Sequence, residues 1–399
     1  MDSNYYHLLI YSSVTLNITI GIDQYSFQVQ SGQPFYGIKN IPTSGIHSIH
    51  FQVAESIEKD DNSSLIYGYW FDSKEVLNRS LYLRYNESSE LFQIVEESNL
   101  AVYHERVKEY SHLMVTYPQI SDIENEGNWF QLTECMSWDD ISKICKSPFP
   151  YSTYFAYADS SMTTKEEMDL LHKKLYISST ESKFNENYFQ YTEIKFKSVE
   201  AIREGFKMQD FMDKSYYLNE VILKKNFKGI VTKLLGELQF AYLNAMKYGN
   251  YGSSMQWHSI IELITQSSQI SNYNQDQTKQ FFAKLDVILS TELKALPEPY
   301  VDILLSESVW KRCISSSLHG EALNLTKNIL KEMILGIFAN EDVTGFEEDY
   351  DGEDADSNSI TEYGDQDERL GVYYPNIEGD EEDDEFQPTV VGGVYHNAL

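Results

Sequence analysis

His47 and His50 stand in an H-x-x-H spacing, the kind of pair that can share a metal ion. Here they fall in "GIHSIHFQV", which alternates like a strand and sends residues three apart to opposite faces. A shared metal is not expected. Asp159, Ser160 and Ser161 put a carboxylate beside two hydroxyls, as a nucleophilic serine would need. The same triplet is a common turn at a helix entry, and that reading is preferred. Cys135, Cys145 and Cys313 lack metal spacing and make no disulfide framework. Three reduced thiols are expected. There is no P-loop, no G-x-S-x-G, no H-E-x-x-H and no G-x-G-x-x-G after a strand. These residues point away from an enzyme, and no cofactor is expected.

Two hydroxyls remain, Ser253 and Ser254 in "GNYGSSMQWHSIIELI". Gly249 and Gly252 break the preceding pattern, and Ser253 with Gln256 has the spacing of a capping box. The helix is therefore expected to start at Ser253. Thr163 and Glu166 show the same spacing before "KEEMDLLHKKL".

The elements around these positions separate by period. "VTLNITIGIDQYSFQVQ" alternates at Leu16, Ile18, Ile20 and Ile22, can turn at Asp23-Gln24, and returns through Tyr25, Phe27 and Val29. "YGYWFD", "SLYLRYN" and "LFQIVEE" read as further strands, the last two as an antiparallel pair. "VYHERVKEYSHLMV" and "SWDDISKIC" read as short helices on or beside the sheet. Residues 1–158 are thus expected to be a β-rich, sandwich-like domain. Residues 159–196 read as a linker with one helix, loose at "YISSTESKFNENY". Residues 197–339 read as an all-α domain of five to six helices. In it, Leu234, Leu238, Ala241 and Ala245 form one stripe. The fold class is α+β multidomain with an acidic tail over 340–399.

Charge is concentrated in that tail. The chain has 399 residues and a formal net charge of -31. Residues 341–386 hold 20 Asp and Glu against Arg369, so -19 lies there and -12 elsewhere. Such a segment cannot bury enough apolar surface to order itself. It is a poor nucleic-acid ligand, because that contact needs cations to displace counterions. Basic proteins are better partners, and an acidic histone-type chaperone is one reading of the tail alone. The apolar share of 42% and the 30 tyrosines support real cores elsewhere. No apolar run is long enough to span a membrane, and the first residues lack a basic signal-peptide region. After Phe386 come thirteen residues with no Asp, Glu, Lys or Arg, "QPTVVGGVYHNAL".

Several unusual stretches occur in order: "TIGIDQYSFQV", "PFYGIKNIP", "HSIHFQ", "YGYWFD", "DSSMTT", "DKSYYLN" and "GELQFAYLNAMKYGNYGSSMQWHSIIELI". Together they resemble the AAR-two splicing factor family, from about Val14 to Ala339. The resemblance implies a β-rich N-terminal domain and a VHS-like helical domain. It implies a non-enzymatic assembly factor of the U5 small nuclear ribonucleoprotein precursor, in cytoplasm and nucleus. Such a factor holds the spliceosomal scaffold protein PRP-eight and excludes the helicase BRR-two until maturation.

The resemblance also implies roles for particular residues. The tail of the yeast form is understood to bridge the RNase H-like and Jab/MPN-like domains of the scaffold, partly by strand addition. Pro388, Thr389, Val390, Val391, Gly392, Gly393, Val394 and Tyr395 are the candidates here. Val390 and Val394 would project to one side of a strand, with Thr389, Val391 and Tyr395 on the other. Gly392-Gly393 would permit a bend between two partner sheets. Family members are regarded as regulated by phosphorylation near "GNYGSSMQWH", which makes Ser253 the first acceptor and Ser254 its rival. A phosphate at a docking surface would add charge and bulk that expel the factor.

Overall fold

In the computed structural model the hairpin forms as its alternation predicts. β2 (Asn17–Ile22) pairs antiparallel with β3 (Tyr25–Val29), Ile22 facing Tyr25 across the turn. Asp23 takes the left-handed conformation there, at φ 53°, which short polar side chains tolerate. Ile18, Ile20, Ile22 and Val29 are buried, with Tyr25 and Phe27 half-buried. The description covers Tyr5 to Met333, except 13–16, 44, 55–64, 119–127, 148–150, 176–186, 298–300, 302–304, 306, 316–318 and 320–321. Leu16, the loose part of the linker and everything from 334 onward, including Pro388 to Tyr395, lie outside it.

Met1–Ala339 forms one compact unit, to which Asn340–Leu399 does not belong. That unit begins with β1 (Tyr5–Tyr11), the hairpin, β4 (Gly37–Pro42), β5 (Ile46–Ala54) and β6 (Ile66–Asp72). A turn of helix, α1 (Ser73–Val76), leads to β7 (Leu81–Asn86) and β8 (Leu91–Glu96). Then come α2 (Leu100–Tyr110), β9 (Val115–Thr116), α3 (Asn128–Thr133), α4 (Trp138–Ile144) and β10 (Cys145–Lys146). β11 (Ala156–Asp159), β12 (Thr163–Thr164), α5 (Lys165–Leu175) and β13 (Tyr188–Phe189) complete this part.

These strands make two five-stranded sheets, β8-β7-β1-β4-β9 and β11-β6-β5-β2-β3, and a small third, β10-β13-β12. The second sheet is antiparallel throughout. In the first, β1–β7 and β4–β9 are parallel. The two large sheets meet face to face. Phe51 stacks on Phe92 with centroids 4.4 Å apart, and the Tyr69 hydroxyl donates to the Phe92 carbonyl at 2.7 Å.

The other face of the second sheet is covered too. Helices α6 (Lys207–Met212), α7 (Val231–Tyr248), α8 (Tyr251–Thr265), α9 (Gln275–Ala295), α10 (Glu307–Ser315) and α11 (Asn324–Met333) form the C-terminal half. Between α6 and α7 lies a π-helical stretch, Tyr217–Leu223, continuing to Asn226. α7 lies on the sheet. Trp70 stacks edge-on against Phe240 at 5.2 Å and donates to Asn244 Oδ1 at 3.1 Å. Ser48 bonds the Tyr248 hydroxyl at 3.3 Å. At Gly68 an added Cβ would come within 2.1 Å of the Ile49 carbonyl and 2.9 Å of the Tyr248 hydroxyl, so only glycine fits.

The stripe Leu234, Leu238, Ala241 and Ala245 is buried, as read. It is only part of the story, because fifteen of the eighteen α7 residues are buried. A helix hidden all round belongs to the centre of a core. α7 is the axle between the sheets and the other helices. N-terminal β-rich sheets with C-terminal helices make this an α+β fold.

Two helix starts differ from the spacing rule. α8 begins at Tyr251, and its cap is Asn250, whose side chain accepts from Ser253 N at 2.9 Å. Ser253 is therefore inside the first turn. α5 is capped reciprocally by Thr164 and Glu167, at 2.6 and 3.2 Å, one residue later than Thr163 and Glu166. Thr163 and Thr164 both pair with β13, and the chain turns into helix only after Thr164, at Lys165.

Candidate functional site: the Ser253 corner

α7 ends at Gly249, left-handed at φ 62°, which turns the chain into α8. Asn250 follows and is buried. Its Oδ1 accepts from both the amide and the hydroxyl of Ser253, at 2.9 and 2.8 Å. Its Nδ2 donates to the Met162 carbonyl at 2.7 Å. The Ser253 hydroxyl has one proton, and Asn250 takes it. The Tyr191 hydroxyl, 2.8 Å from Ser253 Oγ, must therefore be the donor in that contact. Burial holds the Tyr191 phenol well above its ordinary pKa, so it stays protonated.

Tyr191 belongs to a strap, Tyr188–Thr192, that crosses the corner. Its strand β13 pairs with β10 on one side and β12 on the other. Tyr191 stacks on Phe189 at 5.3 Å. Thr192 is bolted to Glu237 of α7, which accepts its amide at 2.7 Å and its hydroxyl at 2.8 Å. Gln256 of α8 donates to the same carboxyl at 2.9 Å and to the Thr192 carbonyl at 2.8 Å. Burial raises the Glu237 pKa against these donors. Gly252 lets the α5 cap approach, since a Cβ there would lie 2.6 Å from Thr164 Cγ2.

Ser253 is thus 0% exposed, at the point where the α7–α8 corner, the strap and the α5 entry converge. It is neither a cap nor a residue on an outer surface. Ser254 is buried as well, and its carbonyl accepts from His258 Nδ1 at 2.8 Å. His258 Nε2 accepts from Trp310 Nε1 at 3.0 Å. One nitrogen donates and the other accepts, so His258 is neutral. Burial lowers its pKa to about 4.

The remaining chemistry-bearing residues resolve into structure. His47 and His50 do face different neighbours, Phe71 and Tyr117 for one, Tyr248 for the other. Asp159 accepts from the Ser161 amide and hydroxyl at 2.8 and 2.9 Å, a side-chain turn closing β11. The described cysteines are free thiols, Cys145 and Cys313 buried and Cys135 half-buried. Among the described residues no cluster of His, Cys, Asp and Glu could hold a metal. None of their helices is long and apolar enough to cross a membrane.

Sequence reading missed one polar centre. The buried Asp23 carboxylate accepts from His47 Nδ1 at 2.7 Å, the Tyr117 hydroxyl at 2.7 Å and the Ser48 amide at 2.9 Å. The Asp23 carbonyl accepts from Lys247 of α7, whose ammonium lies 5.1 Å from the Trp129 ring centre. Burial lowers the Lys247 pKa to about 8, with Asp23 opposing. His47 Nε2 meets the Pro42 carbonyl at 3.0 Å, so both its nitrogens face acceptors. Such a ring is an imidazolium. Burial pulls its pKa down, but Asp23 and Pro42 outweigh burial and raise it. An acid in a hairpin turn signals only a turn, and nothing local says that its partners lie 24 and 224 positions away.

Comparison with known proteins accounts for nearly the whole chain. The AAR2 N-terminal domain matches residues 6–146, and the AAR2 C-terminal repeat region matches residues 191–352. The strap thus enters the second match at Tyr191. The A1 cistron-splicing factor AAR2 of Saccharomyces cerevisiae is 41% identical over 393 residues, covering 97% of this chain and 98% of that protein. With two matching family domains and a 41% identical relative over 97% of its length, this chain belongs to the non-enzymatic AAR2 family of splicing factors.

Proposed function

We propose that this chain is an assembly chaperone of the U5 small nuclear ribonucleoprotein in pre-mRNA splicing. It holds the RNase H-like and Jab/MPN-like domains of PRP-eight and keeps BRR-two away until maturation. It works in the cytoplasm on the precursor particle and enters the nucleus with it. Its C-terminal helices take a VHS-like arrangement. The observation that carries this reading is the 41% identity to a splicing factor over 97% of the chain. The test is capture of partners on the tagged full-length chain, read by mass spectrometry. Recovery of the scaffold without the helicase supports the reading. Recovery of histones instead would support the acidic-chaperone alternative and overturn it.

The tail contributes by strand addition through Pro388 to Tyr395, after an acidic leash that speeds encounter with a basic surface and raises local concentration. Phosphorylation of Ser253, or of Ser254, releases the factor. The buried corner supports a specific route for Ser253. A dianionic phosphate has no room at a fully buried hydroxyl that already meets Tyr191 and Asn250. The modified corner must open, and the release signal is carried by that opening rather than by a charge placed on an outer face.

A further inference from the structure

Ser253 is locked twice. Its hydroxyl proton is committed to Asn250 Oδ1 at 2.8 Å, and its oxygen accepts from the Tyr191 hydroxyl at 2.8 Å. A protein kinase needs both sides of that oxygen. The γ-phosphoryl group of ATP passes to Oγ as its bond to the β-phosphate oxygen breaks. ADP leaves, and the hydroxyl proton goes to the catalytic aspartate of the kinase. In the closed corner the proton is aimed at Asn250 and a lone pair at Tyr191. The backbone is committed too. The Ser253 amide donates to Asn250 Oδ1 at 2.9 Å and the Ser254 amide to the Asn250 carbonyl at 3.2 Å, both in the first turn of α8.

The cover over this serine lies between two anchors, Phe189 at 0% and Ile194 at 5% exposure. Between them Gln190 and Glu193 are exposed, and Tyr191 and Thr192 are half-buried. Polar ties hold this stretch. The Gln190 amide donates to the Ile144 carbonyl at 2.7 Å, Thr192 gives its amide and hydroxyl to Glu237, and Gln256 donates to the Thr192 carbonyl. The Tyr191 ring, against Phe189 and Phe240, supplies the apolar contact. A segment with so little buried apolar surface opens at lower cost than the core. The wall behind it stays, because Glu237 belongs to α7, buried nearly all round. The ties are also shared. Gln256 of α8 bonds both Thr192 and Glu237, and Tyr191 bonds Ser253, so lifting the cover loosens the start of α8.

We propose that Ser253 is a latent acceptor: residues 190–193 and the first turn of α8 open together, and only the open form takes a phosphate. This rests on the reading of Ser253 as the release site and adds an order of events. Opening comes before modification, and the phosphate then keeps the corner from closing. A partner that binds the closed form better slows modification by the same linkage.

Native-state amide exchange on the full wild-type chain is the test. The Thr192, Ser253 and Ser254 amides should share one opening constant, about a hundredfold above that of the α7 amides, with a urea slope well below that of global unfolding. Thr192→Val, which deletes the hydroxyl tie to Glu237, should raise exchange at all three about fivefold. Iodoacetamide on Ser253→Cys, read by mass spectrometry of that peptide, should react at the rate this opening sets and gain the same factor from Thr192→Val. Exchange of the Ser253 and Ser254 amides only through global unfolding would overturn the proposal. So would exchange of those two amides that ignores Thr192→Val, since the helix start would then open alone. Alkylation of the introduced thiol as fast as a free thiol would overturn it as well. These readouts use neither scaffold nor kinase, so a failed gate leaves the release reading intact. Conversely, scaffold binding unchanged in Ser253→Glu would sink the release reading and leave the gate intact.

Discussion

Replacing Ser253 by Glu tests the corner most sharply. At an exposed helix cap the change would cost nothing measurable, since acids are good caps. At this position the side chain is 0% exposed and its hydroxyl makes two hydrogen bonds, to Asn250 and Tyr191. Losing them costs about 1 kcal/mol each, and a carboxylate brought into the same space adds several kcal/mol of desolvation. The helix N-terminus returns about 1 kcal/mol. The net loss is about 3–5 kcal/mol, or a fall in Tm of roughly 6–15 °C for a unit of this size. Ser253→Ala removes only the hydroxyl and should cost about 1–2 kcal/mol. A double-mutant cycle with Tyr191→Phe should show a coupling of about 1 kcal/mol. Urea and thermal unfolding read all five proteins, and amide exchange over 188–192 should rise in Ser253→Glu. A Glu variant that melts with the wild type, its strap equally protected, would refute the reasoning.

Gly252→Ala should destabilise by about 1–3 kcal/mol despite better helix propensity, because its Cβ would meet Thr164 at 2.6 Å; urea midpoints check this. His258 has a folded pKa of about 4, below its unfolded value of 6.5, so the unfolded chain binds its proton first as pH falls. Stability should drop by about 3 kcal/mol between pH 6.5 and 4, and the same pH series on His258→Gln should lack that drop. His47 has the opposite sign: its pKa is raised, so the stability it adds is present below its unfolded pKa and is lost as pH rises through the folded value. Denaturation of Asp23→Asn should show that alkaline loss removed, at a lower baseline stability. In the tail, Val391→Pro should weaken scaffold binding more than Val391→Ala, read by calorimetry, because proline removes a backbone donor.

Much of the fold was legible because its signals are local. Ile18, Ile20 and Ile22 alternate within six residues, and Gly249 ends α7 where a left-handed residue is needed. What stayed hidden depends on distance. β5 and β6 are buried on both faces, so Ser48 and Trp70 look like an ordinary outer face until Tyr248 and Asn244 arrive from α7. The capping rule failed by tertiary override: Ser253 and Gln256 have the right spacing, but Gln256 is bound to Glu237 and Thr192, and Asn250 takes the cap. That same override moved the candidate switch from the surface to the interior.

The proposed function makes the chain and BRR-two alternatives on one scaffold. The direct measurement is competition on the purified RNase H-like and Jab/MPN-like region of PRP-eight, with labelled helicase and increasing full-length chain. Displacement of the helicase by the wild type, and markedly weaker displacement by Ser253→Glu, is the predicted result. Simultaneous binding of both proteins, with the helicase signal unchanged at saturating chain, would contradict it.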